Sequence, residues 1–152
     1  MIYAKKINDF YSICANRNIK KNEIILKLDG IIIDNPNKYT IQIGANQHVI
    51  FPPSCGKNDY LWRFLNHSCS QNAYFNIEEK TLIALENIEK DEEITFNYNT
   101  TEYEISEPFL CNCKSDNCIK YVEGYKFLSS EQRAEIQSLV TNHIFEIDKS
   151  FN

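Results

Sequence analysis

The chain has 152 residues, 43% of them hydrophobic and 24% charged, and a net charge of −5. That size suits one domain with a real core, and the acidic balance without a basic patch speaks against direct nucleic-acid binding and for a basic partner such as a lysine-rich peptide. Four glycines are too few to expect a phosphate-cradling loop. No apolar run resembles a leader or the roughly 20 residues of a membrane span, so no membrane contact is expected and an intracellular, reducing compartment is the default.

Short strands dominate the first two-thirds of the chain. Glu23–Leu28 is an apolar run, Gly30–Asp34 follows it, and Tyr39–Ile43 alternates with period two. His48–Phe51, Ala73–Ile77, Thr81–Leu85 and Glu93–Tyr98 are rich in β-branched and aromatic residues, which suit a pleated, half-buried surface. Turn chemistry separates them at Asp29-Gly30, Asn35-Pro36-Asn37, Pro52-Pro53, Glu78-Glu79-Lys80 and Glu89-Lys90-Asp91. Asp59–Leu65 reads as one helical turn leading into Asn66. The tail changes character. Ser129 and Gln132 form a capping-box pattern, and Ile136, Leu139, Val140 and His143 share one helical face. These signals predict a single helix from about Ser130 to about Phe145 in a mainly β (α+β) protein.

The cysteines are unevenly placed. Cys14, Cys55 and Cys69 are scattered, whereas Cys111, Cys113 and Cys118 crowd into C-x-C-x4-C. In a reducing compartment such a cluster is read as a metal site rather than as disulfides. A structural zinc ion takes four tetrahedral ligands. The triad offers three. On spacing alone the fourth is Cys69, Cys14, Cys55 or one of the three histidines.

Two further segments carry chemistry. RFLNHSCSQN spans Arg63 to Asn72, and DEEITFNY spans Asp91 to Tyr98. They resemble the R-F-[IL]-N-H-S-C-x-P-N and G-E-E-[IL]-T-F-D-Y motifs of the SET family of protein lysine methyltransferases. The cysteine triad that follows resembles that family's post-SET zinc motif. The three together, in order, cover roughly residues 1–125. Gln71 stands where the family has Pro, and Asn97 where it has Asp. Asp59-Tyr60 stands in place of Gly-Asn. Aligning Ala15 with the family's opening Gly-x-Gly segment puts Phe10 and Ser12 at the glycine positions.

The resemblance implies a β-clip fold of several small sheets with knot-like C-terminal threading. It divides the chain into a SET domain at 1–106, a post-SET zinc segment at 107–125 and a C-terminal helix at 126–152. It implies methyl transfer from S-adenosylmethionine to the side-chain amine of a lysine in a histone tail or another protein. Tyr98 takes the place of the catalytic tyrosine. Arg63, Asn66, His67, Tyr98 and Phe109 fall at cofactor positions, and Tyr39 and Phe96 at positions lining the lysine channel. Cys69 becomes the fourth zinc ligand beside Cys111, Cys113 and Cys118. Because the amine must be neutral to react, an apolar channel that disfavours ammonium serves the reaction without a strong base. The replaced glycines support one alternative, a SET-like module that binds a protein tail without chemistry.

Overall fold

Five small sheets, none wider than three strands, make up most of the regular structure. They are seen in a computed structural model describing all 152 residues. β1 (Ile2–Ile7) and β2 (Phe10–Ala15) form an antiparallel hairpin. β3 (Ile24–Lys27) pairs with β9 (Thr81–Ala84), which pairs with β8 (Ala73–Asn76). β4 (Ile31–Ile33) and β5 (Ile41–Gly44) flank β6 (Gln47–Ile50). β7 (Asn66–His67) runs parallel to β10 (Thr95–Phe96). β11 (Phe109–Leu110) pairs with β12 (Tyr121–Val122). The expected turn before Asn66 is a 3-10 turn at Leu61–Phe64.

The core lies where these sheets meet. Ile13, Ile19, Leu28, Leu82, Ile88 and Ile94 are at most 1% exposed, and each such side chain stabilises the fold by about 1.5–3 kcal/mol. Period-two patterning shows in β8, where Ala73 and Phe75 are buried and Tyr74 and Asn76 are less so. The N-terminal hairpin had no assignment in the sequence reading. A two-residue turn at Asn8-Asp9, with Asn8 at φ 55°, closes it, and its first strand is nowhere fully buried.

Two differences from expectation have identifiable physical causes. The Glu93–Tyr98 strand shrinks to two residues: at its end Tyr98–Thr100 turns into a 3-10 helix capped by the Asn97 side chain, and at its start Glu93 makes only an isolated bridge to Cys14. The predicted tail helix is two helices, α1 (Ser130–Ile136) and α2 (Asn142–Ser150). The capping box at Ser129 and Gln132 forms in full. The break comes from a tertiary bond. Thr141 gives both its backbone N–H and its hydroxyl to the Thr100 carbonyl, at 3.0 and 2.9 Å, and this holds it extended. α1 and α2 then pack Ile136, Val140 and Ile144 against Tyr103 and Tyr125.

The segment after Tyr98 is tied closely to the chain after β12. Asn99 is fully buried and its side-chain carbonyl accepts from the Gly124 N–H at 3.1 Å. Tyr125 and Lys126 N–H groups donate to the Glu102 and Tyr103 carbonyls. Gly124 sits at φ 116°, and a Cβ there would lie 2.5 Å from the Tyr103 oxygen, so only glycine permits this close crossing.

Candidate active site and metal centre

The short parallel pair is what builds the site. Thr95 stands opposite Asn66, and Phe96 opposite His67. Two segments almost thirty residues apart are thereby joined, and Tyr98 is delivered beside the Asn66-His67 loop. Its hydroxyl donates to the Leu65 carbonyl at 2.7 Å. Its ring meets those of Phe96, His67 and Phe109 at 4.9, 5.3 and 5.7 Å. Burial pushes the Tyr98 phenol above its ordinary range, with Glu102 and Glu93 adding to the effect. The hydroxyl therefore stays protonated as a donor.

Asn66 is held by its amide, which donates to the Tyr11 carbonyl at 3.0 Å and to the Glu93 carboxylate at 2.9 Å. The Tyr98 N–H donates to His67 Nδ1 at 3.1 Å. Burial lowers the His67 pKa to about 4, so the ring is neutral and its proton must sit on Nε2. That nitrogen lies 3.3 Å from the Cys69 sulfur. Asn97, in place of the family's Asp, uses only its side-chain oxygen, which accepts from Asn99 N and Nδ2. An amide suffices there.

These groups open onto one cleft of about 920 Å3, at the upper end of the roughly 300–1,000 Å3 typical of cofactor sites. Tyr39, Arg63, Asn66, His67, Phe96, Tyr98 and Phe109 all border it. Tyr39 is 44% exposed at the rim, with its ring 5.9 Å from Phe51. Phe96 is buried and packs edge-on against Phe75 at 4.9 Å. The Arg63 guanidinium lies 4.6 Å from both the Phe51 and Phe64 rings and donates to Cys55 Sγ and the Gly56 carbonyl. It braces the 55–57 loop. Phe10 borders the cleft with 78% of its surface exposed, while Ser12 is buried against Cys14. Aromatic walls and the anchored Asn66 amide fit a nucleoside-bearing cofactor.

The sulfurs of Cys69, Cys111, Cys113 and Cys118 all lie within 4.8 Å of one another. A tetrahedron of thiolates at about 2.3 Å from zinc has edges of roughly 3.8 Å, and Cys69 and Cys111 are 3.9 Å apart. The donor set fits a zinc ion. Asn117 fixes the loop by donating to the Cys69 carbonyl at 3.1 Å. Cys55 is occupied with Arg63, and Cys14 lies in β2. His48 and His143 are buried elsewhere, His143 bonded to the Thr101 carbonyl at 2.8 Å.

The sequence reading gave no chemistry to Glu93 and did not single out Glu102. Glu93 holds Asn66. Glu102 is 8% exposed and borders the cleft, and burial pushes its carboxyl up to about 7. Glu93 lies inside the DEEITFNY motif, where its turn-like setting marks no chemistry, and Glu102 lies outside every motif.

Comparison with known proteins follows the same lines. A family model described as "SET domain" matches residues 11–99. An H3 lysine-36 specific histone-lysine N-methyltransferase of Saccharomyces cerevisiae is 43% identical over 131 residues, covering 75% of this chain and 18% of that protein. Its Debaryomyces hansenii namesake is 34% identical over 132 residues, with the same shares. A Plasmodium falciparum protein described as a variant-silencing SET domain-containing protein is 30% identical over 172 residues, covering 93% of this chain and 6% of that protein. The chain thus spans less than a fifth of these relatives. Among solved structures, KRYPTONITE in complex with mCHH DNA, H3(1-15) peptide and SAH aligns with a TM-score of 0.61 at 20% identity, over 79% of this chain and 29% of that one. The methyltransferase domain of human SETMAR aligns with a TM-score of 0.59 at 16% identity, over 82% of this chain and 59% of that one. These likenesses show the fold. From the motifs, the small-sheet architecture and the matched family model, this chain belongs to the SET domain family.

Proposed function

We propose that the chain transfers a methyl group from S-adenosylmethionine to the ε-amine of a lysine in a protein substrate. The observation that supports this reading is the parallel junction of Asn66-His67 with Thr95-Phe96, which brings Tyr98 to the border of the same cleft as Asn66 and His67. When bound, the cofactor supplies an electrophilic methyl group on a sulfonium. Arg63, Asn66, His67, Tyr98 and Phe109 are the residues that would hold it. Tyr98, its hydroxyl held by the Leu65 carbonyl, would stand beside the reacting centre. Tyr39 and Phe96 exclude water from the lysine side chain, and their apolar surface favours the neutral amine over the ammonium. Held in line, the amine gains several kcal/mol from orientation. The four cysteines would hold zinc, which would fix the wall carrying Phe109.

A histone H3 peptide is the first substrate to test, because the yeast relatives are named for H3 lysine 36. The net charge of −5 suits a basic tail. The experiment is transfer of labelled methyl to H3 and to lysine-rich peptides, with Tyr98→Phe as control. Transfer by wild type and a loss of about 100-fold or more in the variant is the expected outcome. Full activity in Tyr98→Phe would remove Tyr98 from the chemistry.

The second reading, a binding module without chemistry, rests on Phe10 and Ser12 at the glycine positions. Calorimetry separates the two, since cofactor binding at micromolar concentration is expected of the enzyme and not of the module.

No helix is long and apolar enough to cross a membrane.

A further inference from the structure

Glu102 is a buried carboxylate with one oxygen committed and one free. Its Oε1 accepts from the Gln42 N–H at 2.9 Å and from the Thr101 hydroxyl at 3.1 Å. Its Oε2 has no partner in the protein, yet it is not among the sealed, unsatisfied atoms of the interior. Glu102 borders the cleft, and Oε2 is its one oxygen still free to accept a donor. Buried carboxylates are ordinarily paired or fully hydrogen-bonded. This one waits for a donor.

The surrounding groups supply no such donor. On its own segment stands Tyr98, protonated and bonded to Leu65. From β5 comes only Gln42, whose cross-strand partner His48 has its pKa lowered by burial. From α2 comes His143, also lowered by burial and bonded to the Thr101 carbonyl. Tyr125 reaches Glu102 through its backbone N–H. Lys38 and Glu107 lie at the mouth of the cleft, and Lys38 is engaged with the Tyr39 ring at 4.8 Å. The forces on the carboxyl are burial and its two hydrogen bonds. No cation answers it.

We propose that Glu102 receives the ε-ammonium of the incoming lysine at Oε2 and takes its proton, an inference that rests on the methyltransferase reading above. The donor is the ligand that reading requires, and Tyr39 and Ile41, which lead into Gln42, border the same cleft. In the transfer one N–H bond of the ammonium breaks and one O–H bond forms on Oε2. The electron pair stays on nitrogen as the lone pair that must attack. The proton then leaves Glu102 to water as the product departs. Burial makes the neutral pair of acid and amine cheaper than the ion pair, so the apolar walls and the carboxylate act in the same direction. A folded-state value of about 7 suits a base working near neutral pH.

The test compares wild type with Glu102→Gln, which keeps an oxygen for Gln42 and Thr101, and with Glu102→Asp, which keeps the carboxylate but withdraws it. Thermal melts confirm that each variant is folded. For wild type, kcat/KM should rise with pH and level off above about 7. Glu102→Gln should be about 100-fold slower near neutrality. Its rate should go on rising about tenfold per pH unit toward the lysine pKa, closing the gap. Glu102→Asp should fall between them. Parallel profiles for wild type and Glu102→Gln would overturn the proposal and leave the methyltransferase reading intact. A binding arm is independent of turnover. Calorimetry should show wild type preferring a lysine peptide to its norleucine analogue about tenfold above pH 7, with the preference lost in Glu102→Gln. Equal preference in both proteins would overturn the role of Glu102. Absence of transfer by wild type would overturn the enzymatic reading, and this arm would then decide Glu102 by itself.

Discussion

Replacing Glu102 by Gln changes how stability depends on pH, whatever the substrate. Burial lifts the carboxyl from an ordinary 4.5 to about 7 in the folded protein. The folded state therefore keeps a proton that the unfolded chain has already released. A group of this kind contributes fully below its unfolded value, and the contribution is lost as pH rises through the folded value. The window here runs from 4.5 to about 7, and the shift corresponds to roughly 3 kcal/mol. Glu102 is only 8% exposed, so solvent screening takes little from that figure. The substituted amide cannot ionise and still offers an oxygen to Gln42 and Thr101. His48 and His143 act with the opposite sign, since burial lowers both and their contribution is lost as pH falls. They are common to both proteins and cancel in the difference. Urea unfolding of wild type and Glu102→Gln at about pH 5 and about pH 8 should show wild type losing roughly 2–3 kcal/mol relative to the variant. Equal slopes with pH, within about 0.5 kcal/mol, would refute both the buried carboxylate and the argument built on it.

Three further outcomes follow from the packing. Asn99→Ala leaves the Gly124 N–H without its acceptor and removes the donor to Asn97; denaturant unfolding should register a loss of about 2–4 kcal/mol. Gly124→Ala places a methyl 2.5 Å from the Tyr103 oxygen at φ 116° and should cost about 2 kcal/mol or more in the same assay. Native mass spectrometry should find one zinc ion per chain and none in Cys118→Ser, and a strong chelator should lower Tm by roughly 10 °C or more. An unchanged Tm after complete metal removal would separate the cysteine cluster from stability.

The strands with alternating or β-branched residues were legible because each packs one face on the core, as β8 does with Ala73 and Phe75. The N-terminal hairpin was not, because Lys5, Lys6 and Ile7 leave the end of β1 exposed and blur its period. The capping box at Ser129 was legible because it is local. The break before α2 was not, since Thr141 is held by Thr100, forty-one positions away. The same distinction runs through the site. Asn66, His67, Tyr98 and the cysteine triad sit in compact motifs. Spacing alone leaves the fourth ligand among several candidates; the motif resemblance points to Cys69, and the folded chain brings its sulfur within 4.8 Å of the other three. Glu102 had no signal, because its place depends on Gln42, sixty positions earlier.

The junction of residues 66–67 with 95–96 is only two residues long. So short a parallel ladder has no stability of its own and cannot form until the intervening chain has closed. That chain includes the β8–β9 hairpin, which must fold and dock first. The candidate site should therefore be the last region to assemble and the first to come apart. Gentle warming should silence it while most backbone amides remain protected from hydrogen exchange, and Asn66, His67 and Thr95 should exchange well ahead of Leu82.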